Sequence, residues 1–342
     1  MDQQEVGFVY VQTNDADNNE VVVFARRAGG TLERLGAYLT GGRGAGAPHL
    51  PSQGSVVLAG DGLLVTNAGS DDVTLFAIEN GGAAPVDRAA SGGSTPRSVA
   101  VHGERVYVLN TGDDPNVSGF VLDSDRLVPV KGSVRSLGSE SDPAQVAFSP
   151  DGRTLLVTDR ASDTIHAFAV DDDGMLQAHV THRSSGATPY GFDVNANGVV
   201  VVTEAAGAQV GKASASSYKL YDAAQLEPVS GAVGNTRSEV CWAVISKDGR
   251  LAFVTNFGDG TISTYAIEDD GSIALRDAVA ATTIEGKPGI RDEALTADGR
   301  FLYALHSDSG RLFGWKVRSD GRLDALGSAN GLPLTAAGLA AT

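Results

Sequence analysis

Residues 143–176, PAQVAFSPDGRTLLVTDRASDTIHAFAVDDDGML, form the clearest copy of a unit that recurs along the whole chain. Two alternating apolar runs flank the turn Ser149-Pro150-Asp151-Gly152. A third run at 164–170 follows a polar break, and Asp171-Asp172-Asp173-Gly174 turns the chain into a fourth. Period-two alternation broken by Asp-Gly turns specifies four antiparallel strands. A sheet that small cannot bury both faces alone, so neighbouring copies must cover it.

Aligned on the second strand of each unit, the chain reads VYVQTN (9–14), LLVTN (63–67), VYVLN (106–110), LLVTD (155–159), VVVTE (200–204), AFVTN (252–256) and LYALH (302–306). These seven copies end 43 to 53 residues apart, a spacing that suits four-stranded propeller blades and exceeds leucine-rich or ankyrin repeats. Five of the six turns ahead of the later copies are Asn-Gly or Asp-Gly (Asp61-Gly62, Asp151-Gly152, Asn197-Gly198, Asp248-Gly249, Asp298-Gly299); the sixth is His102-Gly103. The first unit has no inner strand ahead of residues 6–12, while 333–341 (PLTAAGLAA) is a surplus strand at the other end. Pairing the two would close a ring and remove two sheet edges. The expected fold is therefore all-β: a seven-bladed β-propeller of four-stranded antiparallel blades, residues 1–342 as one domain, closed by C-terminal strand pairing in the first blade. The Gly/Ala/Ser-rich stretches 41–54 and 204–217 are expected to be loops over one face.

The formal charge of −16 repels phosphate backbones and anionic headgroups, which argues against nucleic-acid and membrane-surface partners. A lone cysteine, Cys241, excludes an intramolecular disulfide and a Cys-based zinc site, and is expected to be small and buried. No apolar run reaches the roughly 18 residues of a membrane span, and the opening MDQQE lacks a signal peptide's basic-then-apolar order. A soluble, monomeric, cytoplasmic protein is expected, secreted only where an export signal has been trimmed. His179 and His182 have no third ligand nearby in sequence, and the Asp171–Gly174 turn lacks the distal glutamate of a calcium loop. With no phosphate-cradling loop or dinucleotide fingerprint either, no metal and no cofactor are expected.

Strands within a blade alternate in direction, so the start of the innermost strand and the end of the second lie at one mouth of the ring. Two polar sets are expected to converge there. The first is Asn14, Asn67, Asn110, Asp159, Glu204, Asn256 and His306, where Asn and Asp are also ordinary turn caps. Glu204 and His306 break that rule, and exceptions to a local rule concentrate at functional sites. The second set comes from innermost-strand starts: Arg97, Ser98, Gln145, Tyr190, Arg237, Glu239, Trp242, Arg291 and Asp292, with His49 from the 41–54 loop. Guanidinium forks suit carboxylate or phosphate ligands. The same arginines could instead pair with neighbouring acids and staple adjacent blades.

The stretches 143–159 (PAQVAFSPDGRTLLVTD), 240–256 (VCWAVISKDGRLAFVTN) and 52–78 resemble the seven-bladed lactonase-type propellers, a group that includes 6-phosphogluconolactonase-like proteins and carboxymuconate cyclase-like enzymes. The resemblance spans nearly the whole chain through blade motifs. It implies a lactonase-like hydrolase, or a lactonising cyclase, acting on a small anionic substrate in the central mouth. It also implies Glu204 as a proton-transfer residue, since the family carries a glutamate at that strand end; His306, the other exception to the strand-end rule, is the expected partner. The family's inner-strand histidine is replaced by Gln145 in one blade and Gly191 in the next. The alternative is a non-catalytic propeller that binds a small molecule or a protein.

Overall fold

The computed structural model describes residues 5–47, 50, 51 and 53–342; His49 lies outside them. Among the described residues, twenty-nine strands build seven antiparallel sheets. Blades 2 to 7 begin with the innermost strands Val56–Ala59, Pro96–His102, Pro143–Phe148, Pro189–Val194, Val240–Ile245 and Ile290–Leu295, each followed outward by its next strands in chain order. Blade 1 runs outward through Glu5–Gln12, Glu20–Arg27 and Leu32–Leu39, and takes its innermost strand from Ala337–Ala341. Val9 faces Ala341, Tyr10 faces Ala340 and Gln12 faces Ala337, while Thr342 Oγ1 accepts the Phe8 amide at 2.7 Å. Closure by the C-terminal strand is as expected, though the strand starts at Ala337 and residues 333–336 form its approach. The innermost strands touch in ring order, with Ala337–Ala341 between blades 7 and 2.

The turns that fix this pattern follow from their residues. Gly152, Gly198, Gly249 and Gly299 take φ of 69 to 74°, a conformation open to glycine without strain. Aspartate carboxylates hold three of these turns, those at Gly152, Gly249 and Gly299, accepting from Ser149 Oγ, Ser246 Oγ and Thr296 Oγ1. In blade 2 the left-handed glycine is Gly60, two places before Gly62. Apolar faces then pack blade against blade in seven clusters, one per interface: Phe24 and Tyr303 join blades 1 and 7, for example, and Phe253 and Trp315 join blades 6 and 7. Each fully buried large side chain in these clusters contributes about 2–3 kcal/mol.

An innermost strand has a free edge towards the channel, and its backbone groups need partners. Side chains of the preceding blade supply them. Ser98 Oγ accepts from Val146 N, the Gln145 amide bonds both N and O of Phe192, Asp193 accepts from Ile245 N, and Asp292 accepts from Gly338 N. Blade 6 receives a second cap as well. Gln53, from the loop ahead of blade 2, crosses the ring to bond Ala243 O at 2.9 Å and Ala243 N at 3.2 Å. The 41–54 loop thus reaches into the channel as well as lying over the face. The second stretch is shorter than expected: a 3₁₀ turn at Ala206–Ala208 and a few residues of loop precede the strand Ser214–Tyr221.

Candidate functional site

The innermost strands of blades 5, 6 and 7 start around a cavity of about 490 Å³ at the expected mouth. Tyr190, Glu239, Cys241 and Arg291 line it together with Phe257 and the Gly207–Ala208 turn. Its floor is an apolar cluster of Ala144, Tyr190, Ala205, Cys241 and Trp242, in which the Tyr190 and Trp242 rings stand 4.8 Å apart. Three residues of the second expected set, Tyr190, Glu239 and Arg291, therefore share one pocket, and Trp242 supports it from beneath. A larger cavity, about 570 Å³, opens on the opposite face among turn residues such as Ser149, Asp151 and Asn197. None of the expected site residues among those described lines it.

Charge at the mouth is arranged in two poles. Arg291 is only 7% exposed; its guanidinium lies 4.5 Å over the Phe257 ring, donates to Ser307 Oγ and stands 3.6 Å from Asp308. Burial lowers its pKa, against the pull of Asp308 and Asp292. The second pole is Arg160, which donates to Tyr190 Oη at 3.0 Å and to Asp142 at 2.5 Å. Burial works against the Arg160 charge, but Tyr190 and Asp142 outweigh it and raise its pKa. Arg97 belongs to this pole: burial and then the Arg160 charge push its pKa down, while Asp142 and Tyr190 pull it up. Burial also raises the Tyr190 hydroxyl and the Cys241 thiol well above their ordinary values, so both stay protonated at neutral pH. Glu239 enters the pocket from a backbone with φ of 53°, a left-handed conformation unusual outside glycine. Thr95 and Thr188 share that conformation ahead of their own innermost strands, so it belongs to the blade entry as well as to the site.

The first expected set is placed differently. Strand ends of the second strands point into the blades, not into the mouth. Glu204 is fully buried and accepts from Gly186 N at 2.8 Å, Ser214 Oγ at 2.7 Å, Ser184 Oγ and Ser216 Oγ. Those donors come from the incoming loop and from the third strand of blade 5, so the carboxylate ties loop, second and third strands together. Burial raises its pKa, opposed by the four donors. Asn256 does the same in blade 6 through Thr261, Ser263 and Asn235, and Asn110 in blade 3 through Ser91, Asn116 and Ser118. His306 is 2% exposed, with Nδ1 3.1 Å from Ser309 Oγ and a pKa lowered by burial. Neither Glu204 nor His306 lines the pocket.

Four members of the second set also differ from expectation. Ser98, Gln145 and Asp292 lie deeper, where they cap neighbouring strands. Arg237 pairs with Asp259 at 3.8 Å, within blade 6 and not across adjacent blades. Two contributors were missed: Arg160, which directly follows LLVTD and reads there as a turn residue, and Phe257, which follows AFVTN in the same way. Their shared signal is a bulky side chain one place beyond the strand-end Asn or Asp.

Several comparisons bear on this ring. Over residues 7–135, 126–211 and 199–333 the chain matches the family described as Lactonase, 7-bladed beta-propeller. A 6-phosphogluconolactonase of Yersinia enterocolitica is 33% identical over 60 residues, 18% of this chain and 18% of that protein's length. A Lactobacillus plantarum protein of known structure superposes with a TM-score of 0.80 at 16% identity, covering 99% of this chain and 100% of the other. The Pseudomonas aeruginosa periplasmic gluconolactonase does so with a TM-score of 0.75 at 17% identity, covering 98% and 99%. At those identities the structural likeness speaks for the fold, and the blade-by-blade family match carries the assignment: the chain belongs to the seven-bladed β-propeller lactonase family.

Proposed function

We propose that this protein is a lactonase-like hydrolase that opens a small anionic lactone in the pocket between blades 5, 6 and 7. The observation that carries the proposal is the meeting of Glu239, Tyr190 and Arg291 in one cavity of about 490 Å³ in a protein of this family. Glu239 takes the proton from a water that attacks the lactone carbonyl and returns it to the ring oxygen as the C–O bond breaks, giving a hydroxy acid. Arg291 and the Arg160–Tyr190 pair bind the substrate anion and the oxyanion that develops on the carbonyl. Run in reverse, the same groups serve a lactonising cyclase. The apolar floor of Tyr190 and Trp242, whose rings are tilted 60° to each other, suits the carbon face of a small ring.

A second reading, a small-molecule binder without turnover, is favoured by one feature: Arg291 and Arg237 are already engaged by Asp308 and Asp259. A lactone panel followed by proton release separates the two. Lactonase activity predicts a substrate whose turnover falls by about 10²–10⁴-fold in Glu239→Gln with an unchanged melting temperature. Undiminished turnover in that variant removes Glu239 from the chemistry. Ligands that raise the melting temperature without releasing protons leave the binder.

A further inference from the structure

The pocket between blades 5, 6 and 7 is charged at two points, Glu239 and Arg291, and is otherwise largely carbon. Ala205, Val240, Cys241 and Phe257 line it with the Gly207–Ala208 turn. Its other polar side chains are Thr188 and Tyr190, and both are engaged within the protein: Thr188 Oγ1 accepts from Gly207 N and Tyr190 Oη from Arg160, each at 3.0 Å. A ring hydroxyl entering here exchanges its bonds to water for few partners, and each one left unpaired costs about 5- to 150-fold in affinity. Carbon fares differently, gaining about fourfold for each methylene buried. The carbon wall and the cation adjoin, since the Arg291 guanidinium lies 4.5 Å over the ring of Phe257, which is only partly buried against the apolar floor. The rim keeps the same character. Ala206, Gly207 and Ala208 hold φ of 49, 62 and 62°, a left-handed run that is strained for alanine and presents Gly207 and Ala208 to the cavity. Val210, two places on, is 87% exposed.

We propose that this pocket selects a carbon-rich carboxylate: a lactone whose carboxylate is held by Arg291 and whose alkyl or aryl substituent lies against Phe257 and Val240, where a sugar lactone carries hydroxyls. For the lactone the proposal rests on the hydrolase reading given above; for the selectivity it rests on the lining alone. Phe257 is the specificity-determining residue, because it is the largest purely hydrocarbon side chain on the lining and stands next to the cation.

Binding is measured apart from chemistry, by calorimetric titration of the full chain with cyclohexanecarboxylate, its 4-methyl, 4-ethyl and 4-propyl derivatives, and quinate, which has the same ring and charge with added hydroxyls. Cyclohexanecarboxylate should bind at least about 100-fold more tightly than quinate. Affinity should climb about fourfold with each methylene in the wild type, and by no more than about twofold in Phe257→Ala. A slope separates the carbon wall from the carboxylate site, and should Phe257→Ala not fold, the two wild-type comparisons decide the matter by themselves. Quinate binding as tightly as cyclohexanecarboxylate, a flat methylene series, or no binding by any of these acids overturns the proposal. Proton release is then followed on an alkyl-substituted γ-lactone carboxylate and on glucaro-1,4-lactone. A higher kcat/KM on the glucaric lactone upholds the hydrolase and overturns the selectivity. An intact binding series with neither lactone opened upholds the selectivity and refutes the hydrolase.

Discussion

Removing the Glu204 carboxylate should destabilise the ring without touching the chemistry. In Glu204→Ala the Gly186 amide, fixed in the backbone and 2.8 Å from the carboxylate, loses its acceptor. A buried orphan donor costs about 1–3 kcal/mol. The void left by the side chain adds about 1–2 kcal/mol. The three serines rotate more freely, and Ser216 already accepts from Ala232 N, so they add less. Relief from burying a charge offsets part of the sum. The balance is a loss of about 3 kcal/mol, or about 5 °C in melting temperature for a chain of this size. Glu204→Gln keeps Oε1 for Gly186, Ser184 and Ser216 and presents its NH₂ to Ser214 Oγ, which can turn to accept. That variant should lie within about 1 kcal/mol of the wild type. Urea unfolding followed by circular dichroism measures both, and turnover on a lactone found by the panel should stay within a few-fold in Glu204→Gln. A hundredfold loss of turnover with unchanged stability would refute this reasoning and return Glu204 to the mechanism.

Deleting residues 337–342 exposes the edge of Glu5–Gln12 and strips one wall from the channel, so the truncated chain should lose its cooperative melting transition; a calorimetric trace matching the full chain sinks the closure. The acids of the innermost strands, Asp193, Asp292 and Glu293, also set a pH dependence. Burial raises Asp193 to about 6, Asp292 to about 7 and Glu293 well above its ordinary value, so between about pH 4 and 7 the folded state binds more protons than the unfolded chain. Stability should rise as pH falls from 8 towards 5. Below about pH 4 it should fall again, because Asp159 is held low by His166 and the Asp142 amide, against its burial, and loses those bonds on protonation. Melting temperatures that climb from pH 5 to 8 contradict the assignment.

Local rules made the blades legible: alternation and Asp-Gly turns at 151–152, 248–249 and 298–299 determine strand after strand, and the surplus C-terminal run determines closure. The site was legible only in part. Tyr190, Glu239 and Arg291 could be placed at one mouth because strand direction alone puts innermost-strand starts there. Glu204 could be seen as an exception, but whether a strand-end carboxylate faces water or Ser214 and Ser216 depends on the third strand, a tertiary fact. Gln53 was invisible for the same reason, since its partner Ala243 is 190 residues away. The innermost-strand acids did leave a trace. Asp193 and Glu293 occupy places where the innermost strands of blades 4 and 6 carry Ala147 and Ala243, so a charge in an otherwise apolar strand was the available signal.

The caps on the innermost strands run one way round. Ser98 serves blade 4, Gln145 blade 5, Asp193 blade 6 and Asp292 blade 1, each from the blade before it. A serine, an amide and two carboxylates are not interchangeable, because each is matched in length and charge to the amide or peptide it meets. Although the seven units arose on one pattern, they are no longer modules that can be duplicated, lost or shuffled in register. A change in blade number would set at least one cap against a neighbour it does not fit, so this ring can diversify readily at its mouth and its outer strands while its order stays fixed.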